Sequence, residues 1–227
     1  MSLFLDTLME SMLVPPANVH TVLNAQATRE GVLQGFDRLK KASTDDSGII
    51  VYFNGHGVIL PVGREGRLHE EVFCLWSEEY PFAGIYAVMS GIWMRAGEFA
   101  ELLNRVPARA KVMIADTCHA GEIWDELPQQ TKIEYGLEGA ALLAAARAGG
   151  YALSGPEHTI FTHSLCRAMQ EGAKNLRQAF EIAQRETIIL SRPLCKSYSQ
   201  ARSKHLCTEQ VPTIEDPGQV IPLFQLH

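Results

Sequence analysis

Two short apolar runs constrain this chain more than any other feature. Ile49-Ile50-Val51-Tyr52-Phe53 and Lys111-Val112-Met113-Ile114-Ala115 are rich in strand-forming residues, and neither alternates apolar with polar positions. A strand covered on one face alternates. A strand covered on both faces reads as a continuous apolar run, and that is the habit of parallel sheets. Parallel strands need long crossovers, usually helical. The two runs therefore predict a layered α/β chain rather than a bundle or a sandwich.

The rest of the sequence supplies the helices. Leu5, Leu8, Met9 and Met12 share one helical face over residues 3–13, closed by Pro15 and Pro16. Thr28 is a good N-cap for a second helix with Val32, Phe36 and Leu39 as its buried stripe. Phe99, Leu102, Leu103 and Val106 mark a third, and segments 160–171 and 176–190 two more. Short strands are expected at 19–23, 72–76, 151–153 and 220–224, with loop at 61–70. Residues 140–146 fit either helix or strand. The predicted architecture is three layers, a mostly parallel central sheet with helices on both faces.

Composition excludes several functions. Of 227 residues 46% are hydrophobic and 20% charged, enough apolar material for one core. A net charge of -6 without a Lys/Arg run argues against nucleic acid as partner. No stretch reaches the length of about 20 apolar residues needed to span a membrane. The five cysteines are scattered, without a CxxC pair, which predicts reduced thiols in a cytoplasmic protein. His205 and Cys207 lack two further ligands for a zinc site.

Chemistry concentrates at the ends of the two runs. The first ends at Asn54-Gly55-His56-Gly57, the second at Asp116-Thr117-Cys118-His119-Ala120-Gly121. Open α/β sheets bind ligands beyond the carboxyl ends of their strands. If the two strands are neighbours, His56 and Cys118 face one crevice. A thiol becomes a nucleophile when a base or positive neighbour favours the thiolate, and an imidazole does both. The N–H groups of Gly57 and Cys118 are candidates for an oxyanion hole. His119, adjacent to Cys118, is expected to point elsewhere and to serve packing or hydrogen bonding.

Tyr52-Phe53-Asn54-Gly55-His56-Gly57 resembles the histidine motif of caspases and metacaspases, and Asp116 to Gly121 resembles the metacaspase cysteine motif, with Ala120 where serine is usual. Asn24 to Arg29 and Gly155 to Gly172 extend the resemblance. It implies a caspase-like fold of peptidase family C14 over residues 1–227. Residues 1–121 would be large-subunit-like, 122–138 a linker and 139–227 small-subunit-like. The implied activity is a cysteine endopeptidase of metacaspase type, cleaving after Arg or Lys with Cys118 and His56. The resemblance also implies two carboxylates for a basic P1 side chain, matched by Asp116 and Asp6. Lys132 is the candidate for self-cleavage.

The chain departs from this family pattern in three places. Almost nothing precedes the first helix, so the family's first strand is missing. Arg95-Ala96-Gly97-Glu98 lacks the acidic pair of calcium-dependent members, and Asp125 stands alone, so no obligatory calcium or other cofactor is expected. The linker is short. Two other readings follow: a caspase-like immune or cell-death effector protease activated by a partner or ligand, and a non-catalytic caspase-like interaction module. Retention of both His56 and Cys118 argues against the second.

Overall fold

The computed structural model describes residues 3–62, 68–76, 92–121, 140–147, 149–155, 157–202, 209–217 and 219–227. Its strands are β1 (Gly48–Asn54), β2 (Gly57–Val62), β3 (Leu68–Cys74), β4 (Trp93–Arg95), β5 (Ala110–Asp116), β6 (Ala140–Ala144) and β7 (Thr213–Glu215). Its α-helices are α1 (Leu3–Ser11), α2 (Arg29–Ala42), α3 (Ala96–Asn104), α4 (Ile160–Gln170) and α5 (Leu176–Arg202).

The two apolar runs are adjacent parallel strands. β1 pairs with β5 from Gly48 opposite Ala110 to Asn54 opposite Asp116. β5 pairs in parallel with β6, and β7 closes the row antiparallel, in the order β1-β5-β6-β7. A separate antiparallel sheet holds β2, β3 and β4. Among the described residues no strand pairs with the outer side of β1.

Side chains on a strand alternate between faces, and here each face has its own core. Val112 and Ile114 pack with Phe4, Phe161, Leu165 and Phe180, which come from α1, α4 and α5. Met113 and Ala115 pack with Phe36, Phe99 and Leu103, from α2 and α3. The structure is thus the three-layer α/β arrangement that the unalternating runs imply. Thr28 caps α2 by accepting the Gly31 N–H at 3.1 Å.

Several expectations are corrected. Residues 19–23 form no strand; they run between two short 3-10 turns, Pro16–Asn18 and Asn24–Gln26, with Val19 and Val22 half-buried and the rest exposed. Part of the expected loop at 61–70 belongs to β2 and β3. The ambiguous alanine-rich segment is β6, every residue of it buried between two layers. The final strand is Thr213–Glu215, and 220–224 instead contains a 3-10 turn, Ile221–Leu223. Helix α5 runs on to Arg202 through Pro193. An interior proline costs about 3 kcal/mol, but Leu176, Ala179, Phe180, Ala183, Thr187, Ser191 and Cys195 are all buried. That stripe keeps helical spacing past the proline, and burial outweighs the local preference. Cys195 is disulfide-bonded, while Cys74, Cys118 and Cys166 remain thiols, so the all-thiol expectation fails at Cys195. Scattered spacing in sequence does not reveal which sulfurs meet in space.

Candidate active site

The site grows from the shared end of β1 and β5. Because Asn54 lies opposite Asp116, His56 and Cys118 each follow two residues beyond paired positions on neighbouring strands. The Gly55 N–H still donates to the Asp116 carbonyl at 3.4 Å, so the two chains stay together as they leave the sheet. A Cβ at Gly55 would come within 3.0 Å of the Phe53 ring. That ring is stacked on Phe73 of β3, at 4.3 Å between centroids. The bend into His56 is thereby anchored to the second sheet.

His56 is exposed and Gly57 buried. The Cys74 N–H donates to the His56 carbonyl at 2.9 Å. In an antiparallel ladder, hydrogen-bonded and non-hydrogen-bonded pairs alternate. Gly57, opposite Phe73, is therefore a non-hydrogen-bonded pair, and its N–H turns away from β3.

Cys118 sits half-buried in the turn after β5. Its thiol donates to the Ala152 carbonyl at 3.8 Å. The His119 N–H donates to the Gly150 carbonyl and the Gly121 N–H to the Ala146 carbonyl, both at 2.8 Å. His119 has φ of 62°, a left-handed conformation that costs a non-glycine residue about 1 kcal/mol or more. Its ring meets Tyr151 edge-on at 5.3 Å, the packing role expected of it.

Asp116 is 1% exposed, on the sheet face covered by α4. Its Oδ2 accepts from the hydroxyls of Thr159 and Thr162, with the Tyr52 hydroxyl at 3.4 Å. Oδ1 has no hydrogen-bond partner among the described residues. Burial pushes the carboxyl above its usual range, and the bonds from Thr159, Thr162, Asn54 and Tyr52 oppose that shift. Thr159 is the N-cap of α4, so the carboxylate also lies where the helix dipole favours a negative charge. Burial and the neighbouring Asp116 push the Tyr52 hydroxyl well above the ordinary tyrosine range, which keeps it a proton donor.

A family model described as the caspase domain of peptidase family C14 matches residues 7–216. This chain belongs to the caspase-domain family. A solved structure from Geobacter sulfurreducens, a structural-genomics target, superposes with a TM-score of 0.58 at 17% identity, covering 92% of this chain and 83% of that one. At that identity the likeness shows the fold alone. No curated protein matches the chain.

Within this caspase-domain fold, His56, Gly57, Asp116 and Cys118 all lie at or just beyond the shared end of β1 and β5. Asp6 is placed differently. Helix α1 covers the sheet face that carries Asp116, and Phe4 stacks on Tyr52 with centroids 4.0 Å apart. Asp6 is two residues on, about 200° around the helix from Phe4, and it takes no part in the hydrogen bonding about Asp116. Lys132, Asp125, His205 and Cys207 lie outside the described residues. Among the described residues no cluster of three His, Cys, Asp or Glu could hold a metal, and no helix is long and apolar enough to cross a membrane.

The sequence reading missed Tyr52, Thr159 and Thr162 as partners of Asp116, and Ala152 as the acceptor for the Cys118 thiol. For Thr159 a signal existed. Thr159 followed by the apolar Ile160-Phe161 reads as a helix N-cap, which would have placed a hydroxyl at a helix start.

Proposed function

We propose that this caspase-domain protein is a cysteine endopeptidase of metacaspase type that hydrolyses peptide bonds after Arg or Lys, with Cys118 as nucleophile and His56 as acid–base partner. The observation that carries this reading is the register of β1 on β5, which sends both residues out of adjacent strand ends. In this reading His56 takes the thiol proton and the thiolate attacks the scissile carbonyl carbon. The Gly57 and Cys118 N–H groups stabilise the resulting oxyanion, and the outward turn of Gly57 suits that role. His56 then returns the proton to the leaving amine. Water, deprotonated by His56, releases the acyl group from Cys118.

Specificity rests on Asp116. A guanidinium brought into a dry pocket costs several kcal/mol unless it is paired. An oxygen held in place by three hydroxyls leaves its twin, Oδ1, to accept from such a cation. Asp116 alone carries the proposed pocket, because Asp6 lies about 200° around α1 from the Phe4 face that meets Tyr52, and Lys132 is the proposed self-cleavage site. The substrate is a protein or peptide with a basic P1 residue, and calcium is not required. The deciding experiment is a fluorogenic peptide panel, with and without calcium, on wild type and Cys118→Ala. Cleavage after Arg or Lys that vanishes in the variant supports the reading, and faster cleavage after Asp overturns the specificity.

A second reading, a protease held at rest until a partner or ligand acts, is favoured by the Cys118–Ala152 contact. A thiol engaged by the Ala152 carbonyl must release that contact before a base can take its proton. Slow labelling by a peptidyl-Arg chloromethyl ketone, accelerated by a candidate activator, would distinguish it from a constitutively active enzyme.

A further inference from the structure

Gln210 follows no pattern in the sequence that marks it, yet it is fully buried, at 0% exposure. Both ends of its amide are used. Oε1 accepts the Leu153 N–H and Nε2 donates to the Ala145 carbonyl, each at 2.9 Å. Its backbone N–H donates to Ser191 Oγ on α5 at 3.0 Å, and Ser191 Oγ in turn donates to the Ile188 carbonyl. The side chain thus grips the segment after β6 at two points eight residues apart in sequence and ties both to the longest helix.

Between those two points lie the groups that hold the nucleophile turn. The Ala146 carbonyl takes the Gly121 N–H, the Gly150 carbonyl takes the His119 N–H, and the Ala152 carbonyl takes the Cys118 thiol. We infer that Gln210 is a positioning residue for Cys118, acting through the segment that it clamps at Ala145 and Leu153. The inference rests on the reading of Cys118 as the nucleophile. Cys118 sits in a turn that His119 closes in a left-handed conformation, so the turn depends on its partners to stay in register. Loss of the clamp frees three acceptor carbonyls to shift, and displaces the thiol without touching a substrate-binding group.

The test uses the full 227-residue chain, as wild type, Gln210→Met and Gln210→Glu. Two quantities are followed: kcat and KM on a fluorogenic Arg peptide, and the pH profile of Cys118 alkylation by iodoacetamide, which needs no substrate. Gln210→Met fills the space but makes neither amide bond. It is expected to lower kcat about 100-fold, the scale for a misplaced reacting group, with KM within about twofold, and to move the alkylation midpoint. Gln210→Glu supplies the conservative rescue. As a neutral acid it accepts from Leu153 and donates to Ala145; once ionised it can only accept. Alkylation and turnover in that variant should recover on the acid side and fall as the new carboxyl ionises, a dependence that wild type lacks.

A folded Gln210→Met with wild-type kcat and alkylation profile overturns the inference, as does one that loses only KM. Should Gln210→Met not fold, Gln210→Glu decides alone: no acid-side recovery overturns the inference. A wild type alkylated at Cys118 that cuts no basic peptide overturns the substrate reading instead, and the alkylation profiles then judge Gln210 by themselves.

Discussion

Asn54 and Asp116 are register partners in adjacent parallel strands, and the Gly55 N–H reaches the Asp116 carbonyl just beyond them. One strand continues into His56 and the other into Cys118. The proposed dyad is therefore fixed by main-chain pairing and not by side-chain choice. This relationship makes the consequences of several substitutions calculable.

Cys118→Ala is expected to abolish peptide cleavage and leave the thermal midpoint close to wild type, because a half-exposed thiol contributes little packing. His56→Ala should lower kcat by about 100-fold or more, the range for a lost general acid–base group. Activity assays paired with circular dichroism check both, and substantial turnover in either variant removes the dyad.

Asp116→Asn should reduce kcat/KM on Arg and Lys peptides by about 100-fold, roughly the 3 kcal/mol of a lost charged hydrogen bond. A panel of peptides that differ only at P1 measures it. An equal loss on peptides with neutral P1 residues would make Asp116 a structural residue only.

The same carboxyl predicts a pH dependence of stability. Burial raises its pKa in the folded state above the unfolded value of about 3.9. The folded state then holds the proton more tightly. Its stabilisation is complete below the unfolded pKa and is lost as pH rises through the folded one. Urea midpoints from about pH 4 upward should show this decline in wild type, relative to Asp116→Asn, in which the group no longer titrates.

Thr162→Val removes a donor to Oδ2 and the 2.7 Å contact with Tyr52. Loss of a bond to the charged form raises the Asp116 pKa further. The acid limb of Arg-peptide cleavage should therefore move to higher pH in this variant, with activity at alkaline pH restored toward wild type. A pH–rate profile that keeps its acid limb in place contradicts the pairing of ionised Asp116 with the substrate.

Phe73→Ala should destabilise the protein by about 3–5 kcal/mol, the usual cost of deleting a buried ring. Phe73 is 0% exposed and contacts both Phe53 and Phe99. Denaturant unfolding measures the loss, and a change below about 1 kcal/mol would contradict the packing.

The sequence by itself determined the layered α/β architecture, since unalternating apolar runs have only a doubly covered sheet in which to hide. It also marked the two strand ends where the proposed chemistry lies, because glycine beside histidine and a motif around cysteine are local features that spacing preserves. Tertiary structure decided the rest. Tyr52, Thr159 and Thr162 converge on Asp116 from two other elements, and Gln210 reaches Leu153 across 57 residues of chain. Helix α5 persists through Pro193 because its buried stripe outweighs one lost hydrogen bond. Each of these depends on burial, which turns a polar side chain from a solvated group into one that must find a partner. No local pattern carries that information.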